Sequence, residues 1–376
     1  MNKDVSCQPS EGDSLRMILT LFRHGARSPV QSFPSDPHAD YPWLNGPGEL
    51  QPQGFEQLYQ LGRNMRRRYK FFIPEDTATM KRSIYAVSSC AQRCIDSSQS
   101  FLTGFLKTSN GSEIRRQPVP IHVIPPDQDT VSLQDQRLNF ATNYLCFQYI
   151  LQNKTCQKVK VISAQEKANS GSFLAALHRE GVALQALISA EVGEPITSLY
   201  DTALICDNLE IYNGMGLKQP DWAYQIFPDR ARAFLLGFLL SYSATAELKL
   251  IRGGAILSEY LRKMKAKRDG KLKQNRRMFF YSGHDLTQVN LFNALGMKEQ
   301  IRRRPELGSA VVFELHKSKD FWKDLELLMF YYENSSIENP AELAIPNCAE
   351  PCSLTKFERT VKPLLLDDYD EICSTW

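Results

Sequence analysis

The stretch "ILTLFRHGARSPV", Ile18 to Val30, runs from an apolar strand straight into two arginines and a histidine, Arg23, His24 and Arg27. Strand-forming residues that end in a charged cluster describe a buried strand whose carboxyl end opens toward a ligand. The strand begins at Arg16 ("RMILTLF"). A helix follows from about Glu49, where "QGFEQLYQLGRNMRRRY" spaces Phe55, Leu58, Leu61 and Met65 at helical intervals. The same plan returns twice. "SIYAVSS", Ser83 to Ser89, leads into the helical "QRCIDSSQSFLTGFL", and "RRMFFYSGHD", Arg276 to Asp285, leads into "TQVNLFNALG". Three strands that each feed a helix predict an α/β fold, a mostly parallel sheet flanked by helices.

At 376 residues the chain is long for a single core. Residues 129–228 lack the strand-to-helix alternation and are rich in helix formers, as in "AQEKANSGSFLAALHREGVALQALISAEV". They read as a helical cap inserted into an α/β domain made of residues 1–128 and 229–376. Ligands of open α/β sheets bind beyond the carboxyl ends of the strands. Arg23, His24 and Arg27 sit at one such end, and His284 and Asp285 at another.

Lys plus Arg is 45 and Asp plus Glu is 42, a net charge of +3 that gives no electrostatic reason to expect nucleic acid. The basic runs "RRRY" (Arg66 to Tyr69), "KMKAKR" (Lys263 to Arg268) and "RRR" (Arg302 to Arg304) are scattered and read as solvated faces. The longest apolar stretch, "AFLLGFLL" from Ala233 to Leu240, is too short to span a bilayer, so no membrane anchor is expected. The polar start "MNKDVSCQPSEGDS" carries no leader and reads as a mature form. Nine cysteines and three sequons, at Asn110, Asn153 and Asn334, indicate a secreted, extracellular chain. Cys348 and Cys352 in the turn-rich "CAEPC" suit a short-range disulfide. No second Cys or His cluster has ligand spacing, so neither a metal nor another cofactor is expected. Pairing of Cys7, Cys90, Cys94, Cys156 and Cys206 stays open, as does the oligomeric state.

Two arginines four apart offer two planar forks that match phosphate oxygens. A histidine held between them is biased toward its neutral, nucleophilic form. An aspartic acid brought close by the second strand can give a proton to a departing alkoxide. "LFRHGARSP" together with "YSGHDLT" resembles the paired signatures of the histidine acid phosphatases, the prostatic and lysosomal type within the histidine phosphatase superfamily. The likeness extends through "FPSDP", the helix around Arg93, "IRGGAILSEYLRKMK", "FYYENSS" and "PNCAEPC", over nearly the whole chain. It implies an α/β domain with a helical cap and a phosphohistidine intermediate on His24. It further implies phosphate contacts from Arg23, Arg27 and His284, acid catalysis by Asp285, and disulfides Cys146–Cys373 and Cys348–Cys352.

Departures from the family change the functional expectation. After "SIY" the family writes arginine, serine, threonine; here the arginine position is Val87. Losing one charge-assisted phosphate contact costs about 1.5 to 3 kcal/mol of binding, and preorganised charge at a reacting centre is worth about 10² to 10³ in rate per donor. Ala26 stands where close relatives often have aspartate, and Tyr144 where the family often has a cap arginine. A less positive, more aromatic pocket with Asp285 at its floor suits an ammonium, with Tyr144 and Phe140 covering a ring. In this the chain resembles the divergent acid phosphatase-like proteins of flea saliva. The expected function is therefore a secreted, catalytically impaired or inactive protein that sequesters biogenic amines such as serotonin, with leukotrienes as a further class. The alternative is an acid phosphomonoesterase acting on phosphomonoesters through a phosphohistidine.

Overall fold

Residues Leu15 to Arg23 can lie at the centre of a sheet because their apolar side chains, Leu15, Met17, Ile18, Leu19, Leu21 and Phe22, find cover on one face or the other. The computed structural model describes residues 14–107, 118–123, 156–272, 275–318, 324–348, 350–366 and 372–373. Among them seven strands form one sheet: β1 Leu15–Arg23, β2 Ile84–Ser88, β3 Ile121–His122, β4 Met278–Gly283, β5 Ala310–Lys317, β6 Leu325–Tyr332 and β7 Ala341–Glu342. Their order is β3-β2-β4-β1-β5-β6-β7. The helices are α1 Pro52–Arg68, α2 Thr77–Ser83, α3 Gln92–Leu106, α4 Gln157–Ala168, α5 Phe173–Val192, α6 Leu199–Met215, α7 Asp229–Ser241, α8 Ala246–Arg268, α9 Asp285–Ala294 and α10 Leu354–Val361.

The α/β class read from the sequence holds. β1, β2, β3 and β4 pair in parallel, whereas β5, β6 and β7 extend the sheet from β1 by antiparallel pairing. Of the parallel half, β1, β2 and β4 are strands that feed helices. "AVVFELHK" and "LELLMFYY" are strands with no helix behind them, so that pattern does not reveal them.

Alternation along β1 assigns the two faces. Met17, Leu19 and Leu21, with Phe279, Tyr281 and Phe313, meet Tyr260 of α8, Phe292 of α9 and Phe357 of α10. Ile18 and Phe22, with Phe280, meet Leu58, Leu61 and Met65 of α1 and Phe101 and Phe105 of α3. Full burial of each such side chain stabilises the fold by about 1.5 to 3 kcal/mol. Beside these layers α5, α6 and α7 gather around Leu184, Ile188, Leu209, Tyr212 and Phe234, and Phe33 reaches into the same cluster. The Tyr212 hydroxyl donates to Asp36 (2.7 Å) and Asn208 Nδ2 donates to the Gln31 carbonyl (2.8 Å), which ties α6 to the segment after β1.

One backbone contact positions the turn after β1. A Cβ on Gly25 would collide with the backbone of Gly54, and one on Gly54 with the carbonyl oxygen of Ala26. The turn and the first residues of α1 therefore touch backbone to backbone, and Gln51 N donates to Ala26 O at 2.9 Å. Pro52 opens α1, where its missing N–H costs nothing.

Two sequence expectations need correction. Cys373 bonds Cys156, not Cys146; Cys146 itself lies outside the described residues. Cysteine spacing does not determine connectivity. Here Cys156 and Cys373 share a small apolar cluster with Ile251, Val159 and Ile372. The Cys348–Cys352 disulfide is as expected, Cys90 is also disulfide-bonded, and Cys94 and Cys206 are free and buried. The basic runs are not wholly solvated, because each sends one side chain inward. Arg68 pairs with buried Glu314 at 2.9 Å, Lys263 reaches Glu259 and the rings of Tyr85 and Phe279, and Arg304 enters the site described below. Among the described residues no single helix is long and apolar enough to cross a membrane.

Two measurements check this architecture. Peptide mapping of the unreduced protein should recover a Cys156–Cys373 cross-link and none joining Cys146 to Cys373. Gly54→Ala should cost about 1 to 3 kcal/mol as an overpacking change, seen as a lower Tm; an unchanged Tm would mean that the turn and α1 are not in backbone contact.

Candidate active site

Parallel pairing of β1 with β4 sets Arg23 level with Gly283, so the residues that follow the two strands meet at one end of the sheet. His24 N donates to Gly283 O (3.1 Å), and Gly25 N donates to Ser97 Oγ of α3 (3.2 Å). The structure thus brings Arg23, His24, Arg27, His284 and Asp285 together. Arg23, His24, His284 and Asp285 are buried.

His24 Nδ1 lies 2.8 Å from the Gly25 carbonyl oxygen. A carbonyl only accepts, so Nδ1 carries the proton and Nε2 keeps its lone pair. Burial, then Arg93 and Arg23, push the His24 pKa well below its ordinary value. His284 is pushed down to about 3, first by burial and next by Arg93, with Asp285 opposing. The two imidazoles stand edge to face with centroids 5.5 Å apart. Ser89 Oγ and His284 Nε2 are 3.0 Å apart, and Cys94 Sγ is 3.6 Å from the same nitrogen. Burial pushes the Cys94 thiol up to about 11, which keeps it a neutral packing partner rather than a nucleophile.

The carboxylates organise the cations. Asp285 is the first residue of α9, and its Oδ1 accepts from Leu286 N at 2.7 Å. Its Oδ2 meets Arg304 Nε at 2.6 Å and Arg23 Nη2 at 3.1 Å. Burial alone would raise its pKa, yet Arg304, Arg23 and His24 together hold it well below the usual carboxylate range. Asp207 of α6 does for Arg27 what Asp285 does for Arg23. Its Oδ2 meets Arg27 at 2.6 Å and its Oδ1 meets Arg304 at 2.6 Å; burial opposes its ionisation, but these two guanidiniums lower its pKa strongly. Arg23 Nη1 also donates to the Pro305 carbonyl at 2.5 Å.

Neither Asp207 nor Arg304 is recognisable as a site residue from the sequence. Asp207 is a lone carboxylate inside "LICDNLEIY", and the only signal available was that a charge amid apolar helix residues needs a buried partner. Arg304 closes the "RRR" run. Arg302 and Arg303 stay exposed (side chains 74% and 64%), but Arg304 turns inward and is 20% exposed.

Val87 pairs with Tyr281 of β4, one pleat before the level of Arg23 and Gly283, and packs half-buried against the α8–α9 side of the core. Ala26 is buried, with its N–H given to Gln57 Oε1 at 2.8 Å. Tyr144 and Phe140, the expected aromatic cover, lie outside the described residues, as do Asn110 and Asn153. Asn334 is half-buried, its Nδ2 donating to Glu306. Aromatic side chains do stand near the site on α6 and α7. Tyr200, half exposed at the start of α6, lies 6.4 Å from Phe238 of α7, which is 5.6 Å from Tyr242. Tyr200 feels the charges of Arg27, Arg93 and Asp207.

The family model of the histidine phosphatase superfamily (branch 2) matches residues 14–329. The chain is 28% identical over 377 residues to the lysosomal acid phosphatase of Homo sapiens, covering 98% of this chain and 82% of that protein. It is 28% identical over 374 residues to the prostatic acid phosphatase of Mus musculus, covering 97% and 90%. Among solved structures, the Hafnia alvei phytase in complex with tartrate superposes with a TM-score of 0.66 at 16% identity, over 95% of this chain and 98% of that one. A match of this extent, with the arginine–histidine and histidine–aspartate pairs meeting at the ends of two parallel strands, makes the chain a member of the histidine phosphatase superfamily, branch 2.

Proposed function

We propose that this protein is a catalytically impaired, acid phosphatase-like binding protein of a secreted or lumenal compartment. It holds small mediators in the former active-site region, biogenic amines first and leukotrienes as a further class. The resemblance to flea salivary proteins, resting on Val87, Ala26 and Tyr144, belongs to the same reading, as do residues 129–228 as a helical cap, to which α7 adds its packing.

The observation that carries the loss of catalysis is the grip of Arg304 and Arg23 on Asp285. A general acid must arrive protonated. The two guanidiniums keep the Asp285 carboxyl ionised below its ordinary range, so the leaving alkoxide finds a carboxylate where it needs a proton. Val87 removes a guanidinium from the phosphate as well. Any phosphate reaching Arg23 or Arg27 must also compete with Asp285 and Asp207.

The same features support an amine. Two ionised carboxylates stand at the floor, and Tyr200, Phe238 and Tyr242 offer ring faces nearby. An ammonium entering there exchanges with a guanidinium for a carboxylate oxygen. The second reading, a working phosphomonoesterase, is favoured by His24: its Nδ1–H is tied to Gly25 O and its neutral Nε2 is free to attack phosphorus.

Turnover of p-nitrophenyl phosphate near pH 5 separates the two. We expect kcat about 10² or more below that of lysosomal acid phosphatase, with the residue abolished by His24→Ala; comparable kcat would sink the binding reading. Arg304→Gln should raise the residual rate, because the Asp285 pKa recovers upward and each pH unit of recovery gives about tenfold more protonated acid above that pKa; an unchanged rate would exonerate the Arg304 grip. In calorimetry, Asp285→Asn removes the charge and leaves two guanidiniums facing the ligand, so serotonin should bind at least about tenfold more weakly. Unchanged serotonin affinity would move the ammonium to another partner.

A further inference from the structure

Four guanidiniums surround the two histidines, and three of them are held by carboxylates: Arg23 by Asp285, Arg27 by Asp207, and Arg304 by both. The fourth, Arg93, has no ion-pair partner among the described residues. Its Nε is buried without an acceptor, and its Nη1 makes only a 3.5 Å hydrogen bond to the Gly48 carbonyl. The side chain is half-buried, so part of it remains reachable from solvent.

Its surroundings do not neutralise it. The strongest charge acting on Arg93 is the like charge of Arg27; the pulls of Asp285 and Glu49 are weaker. Arg93 also stands in the first turn of α3, where the helix dipole is positive. That turn holds no acidic residue, and Ala91 at the N-cap offers no side-chain acceptor. Arg27 is satisfied by Asp207, whereas Arg93 and the helix N-terminus beside it have no carboxylate within ion-pair distance among the described residues.

The first turns of α3 also wall the reacting centre. Cys94 touches His284, and Ser97 accepts from Gly25 N beside His24. Arg93 accordingly exerts the largest charge effect on both imidazoles. Val87 and Arg93 lie on either side of the same connection, Val87 as the penultimate residue of β2 and Arg93 as the second residue of α3.

We propose that Arg93, together with Arg27, forms an oxyanion-binding site beside His24, a third guanidinium for the pocket in place of the one absent at Val87. The group it takes is a phosphate or a carboxylate. A ligand that fills the whole region would place its acidic group on Arg93 and any ammonium at Asp285 or Asp207. The proposal rests on this region being a ligand site, not on which mediator occupies it.

The test is calorimetric titration of the full chain with inorganic phosphate and, separately, with acetate, for the unaltered protein, Arg93→Gln and Arg93→Lys, alongside Tm for each. Phosphate, acetate or both should bind the unaltered protein, and the tighter of the two identifies the acidic group. Arg93→Gln should weaken that binding about tenfold or more, the loss of one charge-assisted contact. Arg93→Lys keeps the charge but not the fork and should fall between. Serotonin affinity should not fall in Arg93→Gln, since a cation has been removed; this arm separates failure here from failure of the amine reading. The proposal is overturned if neither anion binds the unaltered protein, or if Arg93→Gln binds within about twofold of it. If Arg93→Gln does not fold, Arg93→Lys decides alone, and an affinity equal to that of the unaltered protein overturns it.

Discussion

Five side chains of alternating charge, Arg27, Asp207, Arg304, Asp285 and Arg23, run in one unbroken line of contacts across the end of the sheet. Each carboxylate is shared by two guanidiniums, and Arg304 is shared by two carboxylates. Removing one partner from a buried pair costs about 3 to 5 kcal/mol, because the other charge is left without compensation. The line draws on four parts of the chain: the end of β1 with the turn after it, the middle of α6, the start of α9, and the residue before Pro305. None of these can withdraw without stranding a charge. Helix α6 is thereby fixed to the ends of the central strands, where Arg23, His24, His284 and Asp285 meet.

The sheet makes this line possible. β1 is covered on both faces and bounded by β4 and β5 on its edges, so its carboxyl end is placed without slack. Close approach of Gly25 to Gly54 then turns the chain sharply enough for His24 to lie against Gly25 O and for Arg23 and Arg27 to reach their carboxylates. Burial and the neighbouring cations keep both imidazoles neutral, and the guanidiniums keep both carboxylates charged against the pull of burial.

Much of this was legible in the sequence. The strand-to-helix units at β1, β2 and β4 stand out by their apolar runs, and the residues that follow β1 and β4 announce a shared site. The antiparallel strands were not legible from that pattern, since "AVVFELHK" and "LELLMFYY" feed no helix. Asp207 and Arg304 escaped for a different reason. Each looks ordinary locally, a helix carboxylate and the last member of a basic run, and only tertiary packing turns them toward each other across 97 positions. The partner of Cys373 escaped likewise, because Cys146 and Cys156 differ in nothing that spacing records; the contact with Ile251 and Ile372 distinguishes Cys156.

Turnover and binding make opposite demands on Asp285. A phosphatase needs this carboxyl protonated when the alkoxide leaves, which calls for few cations near it; a site that holds an ammonium needs it ionised, which a cation-rich neighbourhood secures. Arg304 moves the residue toward the second condition while supplying the charge that keeps Asp207 buried. Val87 is accommodated at little structural cost, since it packs against the α8–α9 core where a branched apolar side chain is at home. Stability resides in the two faces of the sheet and in the charge line, so residues at the end of the sheet can differ between relatives while the fold is kept.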